Sequence, residues 1–251
     1  MLRIHGLTKQ FGGLMVLDDV SFQMPEGVIY GLIGPNGSGK TTLFNLITGI
    51  LTSTAGTVHL GNELLTGLLP HLVTRAGIGR TFQNIRIFRE MTLLENVMVG
   101  MHGHLRYGLG GTLLTLPSQR SEEKRGRERA RELLSWVCLD TKATLEAGSL
   151  SYGEQRKLEL ARALATEPKV LLIDEPAAGM NPAETEELMA EITCISRRGY
   201  TILLIEHDMR LVMGLCQRIA VLNFGKLIAE GPPGEIRQHP EVIEAYLGRD
   251  V

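Results

Sequence analysis

Gly34-Pro-Asn-Gly-Ser-Gly-Lys40-Thr41-Thr42 is the stretch on which the fold turns. It matches the pattern G-x-x-x-x-G-K-[ST] at every required position. The apolar run VIYGLIG (Val28–Gly34) leads into it and reads as a short buried strand ending in glycine. The residues after it predict a helix from about Lys40 to Ile50. A strand, a glycine-rich loop and a helix, in that order, make an anion cradle. Gly34, Gly37 and Gly39 let the backbone wrap a phosphate without side-chain collision. The N–H groups of Ser38 to Thr41 are expected to face the anion, helped by the helix N-terminus. Lys40 is expected to reach the β- and γ-phosphates of ATP, and Thr41 to bind Mg²⁺ through its hydroxyl. Asn36 and Thr42 complete the candidate ATP-binding set in this loop.

Working outward, VLLIDE (Val170–Glu175) is an apolar strand that ends in two carboxylates. Beside a phosphate loop, Asp174 is placed for the metal's water shell. Glu175 is placed to orient or deprotonate an attacking water. KVLLID (Lys169–Asp174), YTILLIEH (Tyr200–His207) and RIAVLN (Arg218–Asn223) read as further buried strands, with helical stretches between them. That alternation predicts a mostly parallel sheet with helices on both faces. LRIHGLTKQF, MVLDDVSFQM and GTVHL, nearer the N-terminus, alternate as antiparallel strands do. From about Asn84 to Ala147 no strand is evident. The charged helix SEEKRGRERARELLSWV (Ser121–Val137) lies there. The expected fold is therefore α/β: a P-loop NTPase core with a mostly parallel sheet, an antiparallel β subdomain near the N-terminus and a helical insertion. Residues 1–83 and about 148–251 form the core of a single domain, and about 84–147 the helical subdomain.

Composition narrows the class. The 251 residues carry 26 Lys+Arg against 28 Asp+Glu, a formal net charge of -2. That balance argues against a chain held on nucleic acid by bulk positive charge. Basic residues from Arg120 to Arg131 are interleaved with Glu122, Glu123, Glu128 and Glu132, the mark of a solvated helix face with i,i+4 pairs. No run approaches the roughly 18–20 apolar residues needed to cross a bilayer. The N-terminus, MLRIHGLTKQF, lacks a signal peptide's apolar core, so a soluble chain in the cytoplasm is expected. Cys138, Cys194 and Cys216 have no metal-ligand spacing and read as small, mostly buried apolar residues.

LSYGEQRKLELARAL (Leu150–Leu164) gives the family resemblance. It resembles the signature of the ABC-type ATPases, a Leu-Ser-Gly-Gly-Gln loop that opens a helix. The resemblance implies that this loop, through Ser151 and Gly153, closes over ATP held by the P-loop of a second subunit. Tyr152 stands where the first Gly usually is and Glu154 where Gln is, and Glu154 brings a negative charge close to a phosphate site. The resemblance continues in chain order. Phe11 matches the aromatic that stacks on adenine. Gln83, in RTFQN, matches the glutamine loop, with a place in catalysis and at the metal. Gly179–Asn181 matches the loop after the catalytic Glu that contacts the partner subunit. His207 matches the switch histidine at the γ-phosphate. Asn181 also reads as a helix N-cap, with Pro182 at N1 and Glu184 at N3.

FGGLMVLDDVSF, GPNGSGKTTLFNLITG, RTFQNIRIFREMTLLENV, DEPAAGMNPAET, TILLIEHDM and EAYLG look like the ATP-binding subunits of bacterial branched-chain amino-acid importers, from Leu7 to Gly248. Importers of urea, short amides and other amino acids have related ATPases, so those solutes stay open. The resemblance implies a second ATPase subunit, identical or paralogous, and two membrane permease subunits. It also implies a solute-binding protein acting indirectly, no nucleic acid, and a place on the cytoplasmic face of the membrane. The segment Gln83–Val97, with IRIFREM inside it, is implied as the surface that docks on a permease. Excess glycine, 29 residues in all, gathers partly at Gly34, Gly37, Gly39, Gly153 and Gly179.

Overall fold

The computed structural model of the chain describes residues 1–103 and 117–247. Residues 104–116 of the expected helical insertion, and Gly248 of EAYLG, lie outside the described residues. The alternating N-terminal segments form β1 (Leu2–Phe11) and β2 (Leu14–Met24), paired antiparallel. β3 (Ile29–Ile33) runs into the glycine loop and α1 (Lys40–Ile47) leaves it. α1 stops three residues short of the expected Ile50, where the Thr48 N–H closes the last turn on Phe44 O at 3.0 Å. β4 (Ala55–Leu60) and β5 (Glu63–Leu64) return to the first sheet, which has the order β2-β1-β4-β5.

α2 (Pro70–Ala76) leads to β6 (Ile78–Arg80), a three-residue strand too short to show a periodicity. α3 (Leu93–Gly100) and α4 (Pro117–Trp136) make the described part of the insertion, and no strand of three or more residues occurs in that part. α4 carries surface pairs: Arg127 with Glu123 at 2.9 Å has the expected i,i+4 spacing, and Arg129 with Glu132 at 2.6 Å is an i,i+3 pair. α5 (Tyr152–Leu164) returns the chain to the core. Next come β7 (Val170–Asp174), α6 (Pro182–Arg197), β8 (Thr201–Ile205) and α7 (Met209–Leu215). β9 (Arg218–Asn223), β10 (Lys226–Gly231), α8 (Pro233–Ile236) and α9 (Pro240–Leu247) end the described chain.

The second sheet has the order β10-β9-β3-β8-β7-β6. All its neighbours are parallel except β10, which pairs antiparallel with β9. Both faces are buried, as parallel sheets require. The two-residue strand period divides the side chains: Tyr30, Leu32, Val170, Leu172, Leu203 and Ile205 face α1 and the first sheet. Ile29, Ile33, Leu171, Ile173, Ile202 and Leu204 face the helices from α3 to α7. Of the cysteines, Cys216 is buried, Cys194 is half-buried and Cys138 is exposed. Cys138 corrects the expectation of burial. It sits at φ 56 in the turn after α4, where the chain reverses at the surface.

Among the described residues no helix is long and apolar enough to cross a membrane. The sheet order has one consequence for chemistry. The carboxyl ends of β3, β6, β7 and β8 lie side by side along one edge, the place where open α/β sheets bind ligands.

Candidate active site

Gly34 follows β3 where the chain turns under β9. A Cβ at this position would lie 2.0 Å from Leu222 O and 2.7 Å from Ser38 Oγ. The obstacle is backbone, so a side chain cannot be accommodated by a rotamer change. Gly34→Ala is therefore expected to cost about 1–3 kcal/mol of stability and to weaken nucleotide binding. Thermal unfolding with and without ATP measures both. Gly39 caps α1 at φ 105, a left-handed backbone that L side chains avoid.

The loop between these glycines is partly self-bonded. The Ser38 N–H donates to Pro35 O at 3.1 Å, so Ser38 does not contribute to the expected row of outward N–H groups. The first N–H groups of α1, from Lys40 onward, have no acceptor within the helix. The buried Ser38 Oγ packs against Gly34 and has no hydrogen-bond partner. Lys40 is buried, and its Nζ donates to Gly34 O at 2.7 Å and Pro35 O at 2.9 Å. Burial lowers its pKa, while the charges of Glu175 and Asp174 oppose that shift. Asn36, Gly37 and Thr41 are exposed, and Thr42 is half-buried. Phe11 ends β1 with its ring open to solvent and the Lys9 ammonium 4.7 Å from the ring centre.

Asp174 ends β7 and is buried against Arg80, the last residue of β6. Arg80 Nη2 lies 3.0 Å from Asp174 Oδ2. Arg80 Nη1 donates to Asn45 Oδ1 at 2.7 Å and Thr48 Oγ1 at 3.1 Å, both on or at the end of α1. Burial raises the Asp174 pKa, and the Arg80 charge and hydrogen bond hold it down. Glu175, the next residue, has φ 44, a strained conformation for a residue with a side chain. Its N–H donates to Ile205 O at 3.0 Å, at the end of β8. Gln83 Nε2 donates to Glu175 Oε2 at 2.8 Å. Two candidates named from separate motifs thus meet side chain to side chain. His207 follows β8 with an exposed ring, and no hydrogen bond among the described residues joins it to Gln83 or Glu175.

The buried Glu206 arranges that corner. It accepts from the Ala177 N–H at 3.0 Å and from the His207 N–H at 3.0 Å. The turn after Glu175 and the turn that carries His207 are thereby fixed to one carboxylate.

Ser151 is the N-cap of α5. Its hydroxyl accepts from the Glu154 N–H, and Glu154 Oε2 accepts from the Ser151 N–H at 3.1 Å. The charge of Glu154 is thus folded back onto its own helix, and Lys142 pairs with its other oxygen. These partners hold the Glu154 carboxyl below its usual pKa range, the Lys142 hydrogen bond first. Gly153 is buried, and a Cβ on it would meet Glu184 Oε1 at 3.2 Å. Glu184 belongs to the capping box of α6, formed with Asn181 as expected.

In the expected docking segment, Phe88 and Met91 are exposed, and a cavity of about 420 Å³ is lined by Arg86, Phe88 and Arg162 among others.

Arg80, Arg156 and Glu206 are the site residues that sequence reading passed over. Arg156 is buried in α5, and its guanidinium donates to Phe82 O at 2.7 Å and to Gln83 O. Glu206 and Arg80 stand beside apolar runs, which is a signal, whereas Arg156 lies in the polar run EQRK and carries none. Their partners Ala177, Asp174 and Phe82 lie 29, 94 and 74 positions away, beyond the reach of any local pattern.

The donor set suits magnesium. A hydroxyl (Thr41), a carboxylate (Asp174) and an amide (Gln83) are hard oxygen ligands. Few protein ligands are needed where waters and phosphate oxygens supply the rest.

Known proteins bear on these features. A family model described as ABC transporter matches residues 17–178. Another, described as branched-chain amino acid ATP-binding cassette transporter, matches residues 226–251. The chain is 47% identical to the high-affinity branched-chain amino acid transport ATP-binding protein LivG of Salmonella typhimurium, over 99% of this chain and 98% of that protein. A nucleotide-free ATP-binding cassette from an ABC transporter superposes with TM-score 0.85 at 34% identity, covering 99% of both chains. A dimeric bacterial ABC transporter cassette superposes with TM-score 0.78 at 27% identity, covering 93% of this chain and 99% of that one.

Proposed function

The chain belongs to the ABC transporter ATP-binding family, and from that premise we propose that it is the ATP-hydrolysing subunit of an importer for branched-chain amino acids. The observation that carries the ATPase reading is the contact of Gln83 with Glu175 at 2.8 Å, beside Asp174 and the Lys40 loop. The solute reading is supported by the likeness to LivG and by the second family model. Uptake of urea, short amides or other amino acids is the alternative.

In this reading Phe11 stacks on adenine. Gly34, Asn36, Gly37, Ser38, Gly39, Lys40, Thr41 and Thr42 cradle the phosphates, with Lys40 leaving its loop carbonyls for the β- and γ-phosphate oxygens. Thr41, Asp174 and Gln83 would hold Mg²⁺, which when bound neutralises charge between the β- and γ-phosphates. Glu175 accepts a proton from the attacking water as that water bonds to the γ-phosphorus and the bond to the bridging oxygen breaks. Gln83 holds the Glu175 carboxylate in place. His207 contacts the γ-phosphate from the end of β8. Ser151 and Gly153 serve the ATP of a partner ATPase subunit, where the N-terminus of α5 favours an anion.

The single-domain division at about residues 84 and 147 follows from the same reading, with the insertion facing two permeases. The chain would then sit on the cytoplasmic face of the membrane, fed indirectly by a solute-binding protein and needing no nucleic acid.

The test is co-expression with candidate permeases, purification from membranes and reconstitution in vesicles. ATP hydrolysis is expected to rise when a leucine-loaded binding protein is added. Stimulation by urea or an amide in place of leucine would move the proposal to the alternative. Hydrolysis indifferent to permeases and to every solute would overturn it.

A further inference from the structure

Tyr152 departs from the family's signature, and its surroundings show what the ring does. The hydroxyl accepts a hydrogen bond from Arg156 Nη2 at 2.9 Å, one helical turn on. The ring lies against Gly179, where a Cβ would meet its Cε1 at 3.4 Å. Arg156 in turn donates to the backbone carbonyls of Phe82 and Gln83. Glu159, buried one turn further along α5, accepts from the N–H groups of Phe82 and Arg86, each at 3.3 Å. The segment 82–86 is therefore held by its own backbone to α5. Its Gln83 side chain reaches Glu175. From Glu175 the chain turns to Gly179, and so back to the Tyr152 ring. The contacts close a ring within one chain.

We propose that Tyr152 and Arg156 are positioning residues that tie the loop this chain lends, at Ser151, to the loops of the site it keeps, at Gln83 and Gly179. This rests on the reading that Ser151 and Gly153 complete a partner's site. Filling of the chain's own P-loop moves Gln83 and Glu175. The shift passes through the Phe82 and Gln83 carbonyls to Arg156, and through Gly179 to Tyr152. It arrives at the start of α5, where Ser151 is presented to the partner. A glycine at position 152 would leave this path only the Arg156 backbone contacts and an unbraced helix start.

The test uses the full chain diluted to a monomer, so that only contacts within one chain can act. Hydrogen exchange is followed at the amides of residues 151–155 with and without saturating ATP and Mg²⁺. In the unaltered chain ATP is expected to slow that exchange at least about fivefold, the lower end of site-to-site coupling. Tyr152→Gly is expected to remove most of the response while fluorescent-ATP affinity stays within about twofold, because the P-loop is untouched. Tyr152 is half exposed, so this variant folds, as its melting temperature checks. Tyr152→Phe keeps the ring on Gly179 and over Arg156 and is expected to retain most of the response. The link is overturned if the unaltered chain shows no response at 151–155, or if Tyr152→Gly responds as strongly. Failure of the parent reading looks different: Glu175→Gln chains would then not pair in ATP at any concentration.

Discussion

Glu175→Gln is expected to slow ATP hydrolysis by about 10²- to 10⁴-fold, the usual worth of a positioned general base. Nucleotide affinity is expected to stay near that of the unaltered chain. The carboxylate stands at the end of β7, one residue after Asp174, and is half-buried. Its backbone at φ 44 is held by the bond from its N–H to Ile205 O, which ties the end of β7 to the end of β8. Gln83 then fixes the carboxylate from the β6 side at 2.8 Å. Glutamine has the same shape and can still accept that hydrogen bond through its Oε1. It cannot accept a proton from water. Binding is therefore spared and the chemical step is lost. Slow hydrolysis leaves bound ATP in place, so ATP-dependent pairs of chains are expected to accumulate. Single-turnover hydrolysis and sedimentation in ATP measure the two effects. Turnover within a factor of two of the unaltered chain would remove Glu175 from the role of base.

Arg80→Met is expected to lower stability by about 3–5 kcal/mol, the cost of breaking a buried ion pair from one side. For a chain of this length that corresponds to a fall in melting temperature of about 6–20 °C. The Arg80 and Asp174 side chains are 8% and 4% exposed, so water cannot replace the lost partner. The guanidinium also satisfies Asn45 and Thr48, and its Cζ lies over the rings of Phe44 and Phe82, 5.6 and 5.0 Å from their centres. Methionine fills part of the volume and serves none of these polar atoms. Arg80→Lys keeps a charge but not the fork, and is expected to fall between the two. Calorimetry of the three proteins decides the matter. Equal melting temperatures would mean that water or another cation reaches Asp174.

How much of this was legible beforehand depended on the range of the interaction. The phosphate loop, the Asp174–Glu175 pair and the capping box at Asn181 are local patterns, set by residues within a few positions of one another. They stand in the structure where their spacing puts them. The surface pairs of α4 are local too. β6 was missed because a three-residue strand carries no period; its pairing with β7 supplies what its sequence lacks. The charge of Glu154, a conflict when read beside a phosphate site, is absorbed by Lys142 and by the cap of its own helix.

The sequence by itself determined the longer strands other than β10, the loop chemistry and the order of motifs along the chain, but not the short β5 and β6. Local spacing dictates backbone shape and side-chain face without reference to distant residues. Only the tertiary structure decided which charged groups meet. Arg80 and Asp174 are 94 positions apart, and Arg156 and Gln83 are 73 apart. These groups meet because β6 and β7 lie side by side and α5 packs against the segment that follows β6. Burial in that packed space makes each pairing obligatory, since a lone charge there would have neither water nor partner.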